Sequence, residues 1–216
     1  MTSREMLRIA LSKGRILDES LQMLEKAGLD CHDVTEDSRK LIFTNEEKKL
    51  SFILGKPADI PTYVEYGAAD LGIVGKDVIL ESPGEFYELL DMHIGYCKMV
   101  VAREKDKEII DYSKVASKYP RITGRYFEHA GRQVDIIELN GSVELAPLIG
   151  LADLIVDLVS TGKTLQENNL VEEEKILDIT SRLIANKGSY QLKQDRIGPL
   201  IENLLSIIKD RKTAKK

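Results

Sequence analysis

The sequence predicts an α/β protein built as two similar lobes. Short apolar runs alternate with amphipathic helical patterns from the first residues onward, the pattern of strands joined by helices in largely parallel sheets. The alternation restarts near residue 96. One stretch also echoes another: "GAADLGIVGKDVI" (67–79) and "GLADLIVDLVSTGKTL" (150–165) share a glycine at a helix end, an Ala-Asp-Leu strand entry, an apolar strand and a Gly-Lys turn into a helix. Two lobes of this kind direct strand C-terminal ends and helix N-termini into a ligand cleft between them, the usual ligand position of α/β folds.

The elements follow in order. "LRIAL" (7–11) reads as a buried strand, and "ILDESLQMLEKAGL" (16–29) carries apolar residues at helical spacing. "LIFTNEEKKLSFIL" (41–54) reads as two strands around a polar turn, and "PADIPTYVEYGA" (57–68) as a helix with proline near its start. The strand "DLGIV" (70–74) and a short helix from Asp77 come next, then "FYELLDM" (86–92) and "YCKMVVA" (96–102). A charged stretch, "REKDKEIIDYSK" (103–114), leads to a strand near "KVAS", a helix around 120–130, "VDIIEL" (134–139), a helix over "SVELAPLIGL" (142–151) and the strand "DLIVDLV" (153–159). "KILDITSRLIANK" (175–187) reads as one strand leaving the second unit, "QDRIGPLIENLLSIIKDR" (194–211) as a closing helix, and "KDRKTAKK" as a solvated tail. The expected division is lobe I over 1–94, lobe II over 95–182, and a segment, 183–216, that returns to lobe I.

With 216 residues, 43% hydrophobic and 31% charged, the chain can bury a substantial core. Its formal charge of −5 argues against a general nucleic-acid or membrane-surface role, which clustered positive charge drives. Two distant cysteines, Cys31 and Cys97, lack the spacing of a zinc or redox motif and read as small apolar residues in a reduced compartment. The N-terminus has too short an apolar run for a signal peptide and no stretch approaches membrane-spanning length, so a cytoplasmic protein is expected. His32, His93 and His129 stand apart from any ligand or triad pattern.

"DLVSTGKTL" (157–165) ends in the Gly-Lys-Thr of a phosphate loop. A Walker A loop also needs glycine five positions before its Gly-Lys, and here that position is Asp157, whose charge would oppose a phosphate. A monophosphate cradle remains: Ser160, Thr161 and Thr164 offer hydroxyls, Gly162 permits close backbone approach, and a helix start supplies amides. A plain turn capped by Thr161 would use the same residues. Asp157, at the strand end beside the loop, can accept hydrogen bonds from ribose hydroxyls. Asp153 shares its face but lies about 13 Å back along the strand, at ~3.3 Å per residue. Glu144, near the preceding helix start, is a second sugar candidate, though an acid there also suits the helix dipole. "SKGR" (12–15) follows the first strand and brackets Gly14 with Lys13 and Arg15, a candidate oligophosphate site; Arg39 and Lys40 add charge before a later strand.

"ELNGSVELAPLIGLADLIVDLVSTGKTL" (138–165) resembles the ATP phosphoribosyltransferase family. The signature residues are Glu144, Gly150, Asp153, Asp157, Thr161, Gly162, Thr164 and Leu165, and "LRIALSKGRI", "DSRKLIF" (37–43), "ADIPTYVEYGAADLGIVGKDVI" and "YPRITGRYF" (119–127) extend the likeness over nearly the whole chain. The resemblance implies two lobes like a type II periplasmic binding protein. It implies a reaction of ATP with 5-phosphoribosyl 1-pyrophosphate, giving N1-(5-phospho-β-D-ribosyl)-ATP and pyrophosphate, the first step of histidine biosynthesis, with Mg2+ carried on the pyrophosphate rather than on protein ligands. The Ser160–Thr164 loop would hold the donor's 5-phosphate, Asp157 and Glu144 would lie near its ribose, and Lys13, Arg15 and Arg39 would neutralise the pyrophosphate or the triphosphate. Asp70 would help position the nucleotide, and Lys163 fills a variable position of the signature. Ending at Lys216, the chain resembles the short form, which works with a regulatory subunit similar to histidyl-tRNA synthetase, as a homodimer within a hetero-octamer. A cytoplasmic two-lobed binding module for a phosphorylated solute is the alternative, and it would not need Arg15 and Arg39.

Overall fold

The computed structural model describes residues 6–107 and 113–214, so parts of the N-terminal segment, the charged stretch at 103–114 and the basic tail lie outside the described residues. Two units result, Met1–Gly95 with Thr180–Lys216, and Tyr96–Ile179. The first pass comprises β1 (Leu7–Ser12), α1 (Leu17–Lys26), β2 (Ile42–Asn45), β3 (Leu50–Gly55), a 3-10 turn at Pro57–Asp59, α2 (Ile60–Glu65), β4 (Leu71–Gly75), α3 (Lys76–Glu81) and β5 (Phe86–Asp91). The second unit holds β6 (Cys97–Glu104), β7 (Lys114–Ser117), α4 (Pro120–His129), β8 (Asp135–Glu138), α5 (Leu145–Leu148), β9 (Leu154–Val159), α6 (Lys163–Glu167) and β10 (Leu170–Ile179). β11 (Ser181–Asn186), α7 (Lys187–Leu192) and α8 (Gln194–Ala214) then complete the first unit, the return falling at Thr180.

The apolar runs are continuous because the central strands are buried on both faces. Leu7, Ile9 and Leu11 of β1 join Leu50, Phe52 and Leu54 of β3 and Leu71 and Ile73 of β4 against α1 and α8. Ala10 and Val74 face the opposite way, toward Ile60 and Val64 of α2. Gly72 permits that second contact: a Cβ there would lie 2.8 Å from Val64 Cγ2 and 2.9 Å from Ile60 Cγ2. In the second unit Val100, Ala102, Ile155 and Val159 pack with Val143, Ala146 and Leu165. Their strand neighbours Met99, Val101, Leu154 and Val156 are buried too, on the other face by alternation. Cys31 and Cys97 are buried, and burial pushes the Cys31 thiol up to about 12, where it is unreactive.

The first sheet runs β2-β3-β1-β4-β11-β5 and the second β10-β6-β9-β7-β8. Parallel pairing is confined to β3-β1-β4 and β8-β7-β9; β2, β11, β5, β6 and β10 pair antiparallel. The sheets are therefore mixed rather than largely parallel, because β2 and β3 form a hairpin and because β6 and β11 are supplied by the chain as it enters each unit. The same order, a parallel triplet followed by an antiparallel strand, recurs in both units.

Two element boundaries differ from expectation. The helix read over 142–151 is confined to Leu145–Leu148, since Ser142 takes a φ of 44° and Gly150 a φ of 71°, and Pro147 has no amide to donate. The strand read over 175–187 is two strands. Asp178 and Ile179 pair with Lys98 and Cys97 of β6, whereas Ser181–Ala185 pair with β4, in a different sheet.

Candidate active site

β9 carries the site in the second unit. Its neighbours are β6, with Asp157 opposite Val100 and Val159 opposite Lys98, and β7, with Val156 opposite Ser117. Beyond Val159 the chain turns through exposed Ser160 and Thr161 to Gly162, whose φ of 77° is left-handed. The nearest atoms to a Cβ at Gly162 would be Glu172 Oε1 at 3.9 Å and Val159 Cγ1 at 4.0 Å, so backbone conformation, not space, calls for glycine. Thr161 Oγ1 accepts a long hydrogen bond from the Lys163 amide (3.5 Å), which leaves the hydroxyl hydrogen able to donate outward. α6 has five residues, too short for much dipole, so anion binding here rests on loop amides and hydroxyls.

A cavity of about 170 Å³ opens over this turn, lined by Glu144, Asp157, Ser160, Thr161, Gly162 and Thr164 among others. It lies below the ~300–1,000 Å³ usual for a whole small-molecule ligand, and suits the phosphoryl end of one. Asp157 is its chemically distinctive group. Burial pushes its carboxyl up to about 6, the charge of Glu144 adds to that, and the Leu158 amide (2.8 Å from Oδ1) and Lys118 oppose it. At neutral pH it is ionised but held there narrowly, which suits an acceptor for sugar hydroxyls. A larger cavity of about 480 Å³ lies near Lys48, Lys193 and Arg196 in the first unit. We favour the smaller one, because those cations are already engaged: Lys48 with Asp30, Lys193 with Asp70, and Arg196 with the carbonyls of Lys48 and Lys49.

Of the residues singled out in the sequence, Glu144, Asp157, Ser160, Thr161, Gly162 and Thr164 come together around one cavity. Lys163 is exposed and does not line it. Lys13, Arg15 and Arg39 belong to the first unit. Lys13 and Arg15 flank Gly14 in the turn after β1, and the Gly14 amide donates to Glu36 Oε1 at 3.0 Å, so that amide already accommodates an anionic oxygen. The Arg15 guanidinium donates to the Gly95 carbonyl at 2.5 Å, and Arg39 is exposed.

Asp70 does not line that cavity. It precedes β4, at the N-terminal end of the strand, and is 3% exposed. Its carboxylate accepts from Lys193 Nζ (2.7 and 2.8 Å), Ser189 Oγ (2.6 Å) and the Arg8 amide (2.8 Å). Such a saturated carboxylate fastens the start of β4 to β1 and to Ser189 and Lys193. Asp153 plays the matching part in the second unit, accepting from the Ser113 and Lys114 amides (3.2 Å each) at the start of β7. The sequence echo thus corresponds to the same carboxylate-to-strand contact in both units. Two residues near the candidate groups escaped the sequence reading, Glu36 and Lys118. Lys118 had a signal: "SK" follows a strand twice, in "ALSKG" and "VASKY".

The fold defines an α/β protein of the periplasmic-binding-protein type. Solved structures sharing that fold include holo ArgBP from T. maritima (TM-score 0.56, 13% identity, 97% of this chain and 92% of that one) and the BvgS VFT2 domain of Bordetella pertussis (0.61, 15%, 97% and 94%). The family profile "HisG: ATP phosphoribosyltransferase" matches residues 56–206. An ATP phosphoribosyltransferase of Halalkalibacterium halodurans is 54% identical over 207 residues, 94% of this chain and 97% of that one, and one of Syntrophotalea carbinolica is 50% identical over 208 residues, 94% and 95%. The structure of the "ATP phosphoribosyl transferase (HisG:HisZ) complex from Thermotoga maritima" superposes with a TM-score of 0.80 at 34% identity, covering 95% of this chain and all of that one. The chain belongs to the ATP phosphoribosyltransferase family, pentosyltransferases that carry out the first step of histidine biosynthesis.

Proposed function

We propose that the Ser160–Thr164 loop holds the 5-phosphate of 5-phosphoribosyl 1-pyrophosphate while Asp157, assisted by Glu144, holds its ribose, and that this chain transfers the phosphoribosyl group to N1 of ATP. The observation that carries the reading is the shared cavity: a narrowly ionised carboxylate and a left-handed glycine turn rich in hydroxyls sit side by side. In the reaction the C1–O bond breaks, its electron pair leaves with pyrophosphate, and the adenine N1 lone pair forms the new bond to C1. N1 carries no proton, so attack needs no general base. Charge develops positively on the sugar and negatively on the leaving group. Lys13, Arg15 and Arg39 are assigned to that negative charge, or to the ATP triphosphate, where fixed cations favour the transition state over the ground state.

Magnesium, used by the family, would enter on the donor's diphosphate oxygens. Mg2+ in such sites takes one or two carboxylates besides substrate phosphates, and Glu144 and Asp157 are carboxylates that face the cavity. Among the described residues no group of three His, Cys, Asp or Glu side chains is placed to hold a metal ion. The partner is inferred to be a regulatory subunit of the HisZ type, similar to histidyl-tRNA synthetase, which the Thermotoga maritima HisG:HisZ complex supports; this chain is further proposed to be a homodimer within a hetero-octamer. Among the described residues no helix is long and apolar enough to cross a membrane, and a biosynthetic role using ATP supports the cytoplasm.

The decisive experiment measures the ultraviolet absorbance of phosphoribosyl-ATP with both substrates, magnesium and the regulatory subunit present. Thr161→Ala should raise KM for the ribosyl donor about tenfold, in line with a lost hydrogen bond to a charged group, and leave ATP binding in place. Equal loss of both substrates would mean that the loop had been misassigned.

A further inference from the structure

The central strands of the two sheets end alike. Ser12, last in β1, is buried and donates its hydroxyl to the Ile73 carbonyl of β4 (3.0 Å); Ser117, last in β7, is buried and donates to the Val156 carbonyl of β9 (2.7 Å). A lysine follows each serine, Lys13 in the first unit and Lys118 in the second. Both serines close the middle strand of a parallel triplet, where α/β sheets collect their ligands. The equivalence is therefore one of hydrogen bonding and topology, not of a shared dipeptide alone.

Lys118 has the better-defined surroundings. Ser117 lies opposite Val156, so the next residue along, Lys118, emerges beside Asp157 on the adjacent strand, about 4.8 Å away in the pairing direction. The Tyr119 amide donates back to Ser117 Oγ (2.9 Å) and Tyr119 itself is buried, which turns the chain at this point and leaves Lys118 exposed. Among the described residues Lys118 makes no ion pair. The other charge acting on Asp157 is Glu144, an acid; on the adjacent strand β6, opposite Val159, the Lys98 ammonium is held by Glu172 Oε2 at 2.5 Å. With two carboxylates lining the cavity, an anionic ligand extending past the loop meets repulsion unless a cation offsets it. Lys118 is a cation that acts on Asp157, and among the described residues no carboxylate lies within ion-pair distance of it.

We propose that Lys118 is a substrate-binding residue whose ammonium contacts the diphosphate of the ribosyl donor, as the second unit's counterpart of Lys13. The inference rests on the assignment of the Ser160–Thr164 loop to the 5-phosphate: with that end in the loop and the ribose at Asp157, the C1 diphosphate is the remaining anion.

Titration calorimetry on the intact chain, with 5-phosphoribosyl 1-pyrophosphate plus magnesium and separately with ribose 5-phosphate, separates the two ideas. Lys118→Met should weaken donor binding about tenfold, leave ribose 5-phosphate within about twofold, and Lys118→Arg should recover most of the donor affinity. Unchanged donor binding in Lys118→Met, or equal loss of both ligands, overturns the assignment. Thr161→Ala should weaken both ligands; if it weakens neither, the loop reading itself fails, whatever Lys118→Met does.

Discussion

Glu144 and Asp157 line one cavity, and the negative charge of Glu144 adds to burial in raising the Asp157 carboxyl to about 6. Only the ionised form of Asp157 accepts hydrogen bonds from two sugar hydroxyls. KM for the ribosyl donor should therefore rise as pH falls through about 6, and Glu144→Gln should move that midpoint downward. A pH profile of kcat/KM with the donor varied checks both; a midpoint that Glu144→Gln does not move would remove the coupling.

The same carboxyl bears on stability. Its folded-state value lies above the ordinary 3.8, so the folded chain binds the proton more tightly than the unfolded chain does. Stability then falls as pH rises from about 4 to about 6 and stays lowered above that. Asp157→Asn, which keeps the Leu158 amide contact, should gain about 1–3 kcal/mol at pH 8 and nothing below pH ~4, while losing activity. Urea unfolding at both pH values tests the sign.

Gly162→Ala should separate conformation from crowding. Nothing lies closer than 3.9 Å to the new methyl group, so the chain should fold with a loss of about 1–2 kcal/mol for a left-handed alanine. Relaxation of the turn to escape that strain would misalign Thr161 and the loop amides. The expected readout is a donor KM raised several-fold with ATP binding unchanged.

Breaking the Asp70–Lys193 pair should act on folding alone. Asp70 is 3% and Lys193 8% exposed, and Lys193→Met would strand a buried carboxylate, a loss of about 3–5 kcal/mol. Kinetic constants per folded molecule should stay within about twofold, since neither group lies at a strand C-terminal end. A selective rise in ATP KM would instead return Asp70 to the nucleotide.

Arg39 and Arg15 should differ. Arg39 is exposed, and Arg39→Ala should change stability by no more than about 0.5 kcal/mol while lowering kcat. Arg15 also holds the Gly95 carbonyl, so Arg15→Ala should lower kcat and in addition lose about 1 kcal/mol of stability. Paired measurements of kcat and urea midpoint distinguish the two.

The sequence by itself determined most of the strands, the α/β class and the strand-to-helix turn after Val159, because each is written in local spacing. Short continuous apolar runs set β1 and β4, Pro57 marks an element start, and Gly162 marks a close turn between strand and helix. It also disclosed the echo between 67–79 and 150–165, since the same strand entry was spelled twice. Only the tertiary structure decided which partners those residues have. Asp70 precedes one apolar strand and Asp157 lies within another, yet one is saturated by Lys193, Ser189 and the Arg8 amide while the other faces a cavity beside Glu144. Thr180 divides what reads as a single strand because the residues on either side hydrogen-bond to different sheets. Spacing along a chain encodes which face a residue takes; whether that face meets a lysine, a second acid or open solvent is set by residues tens to more than a hundred positions away.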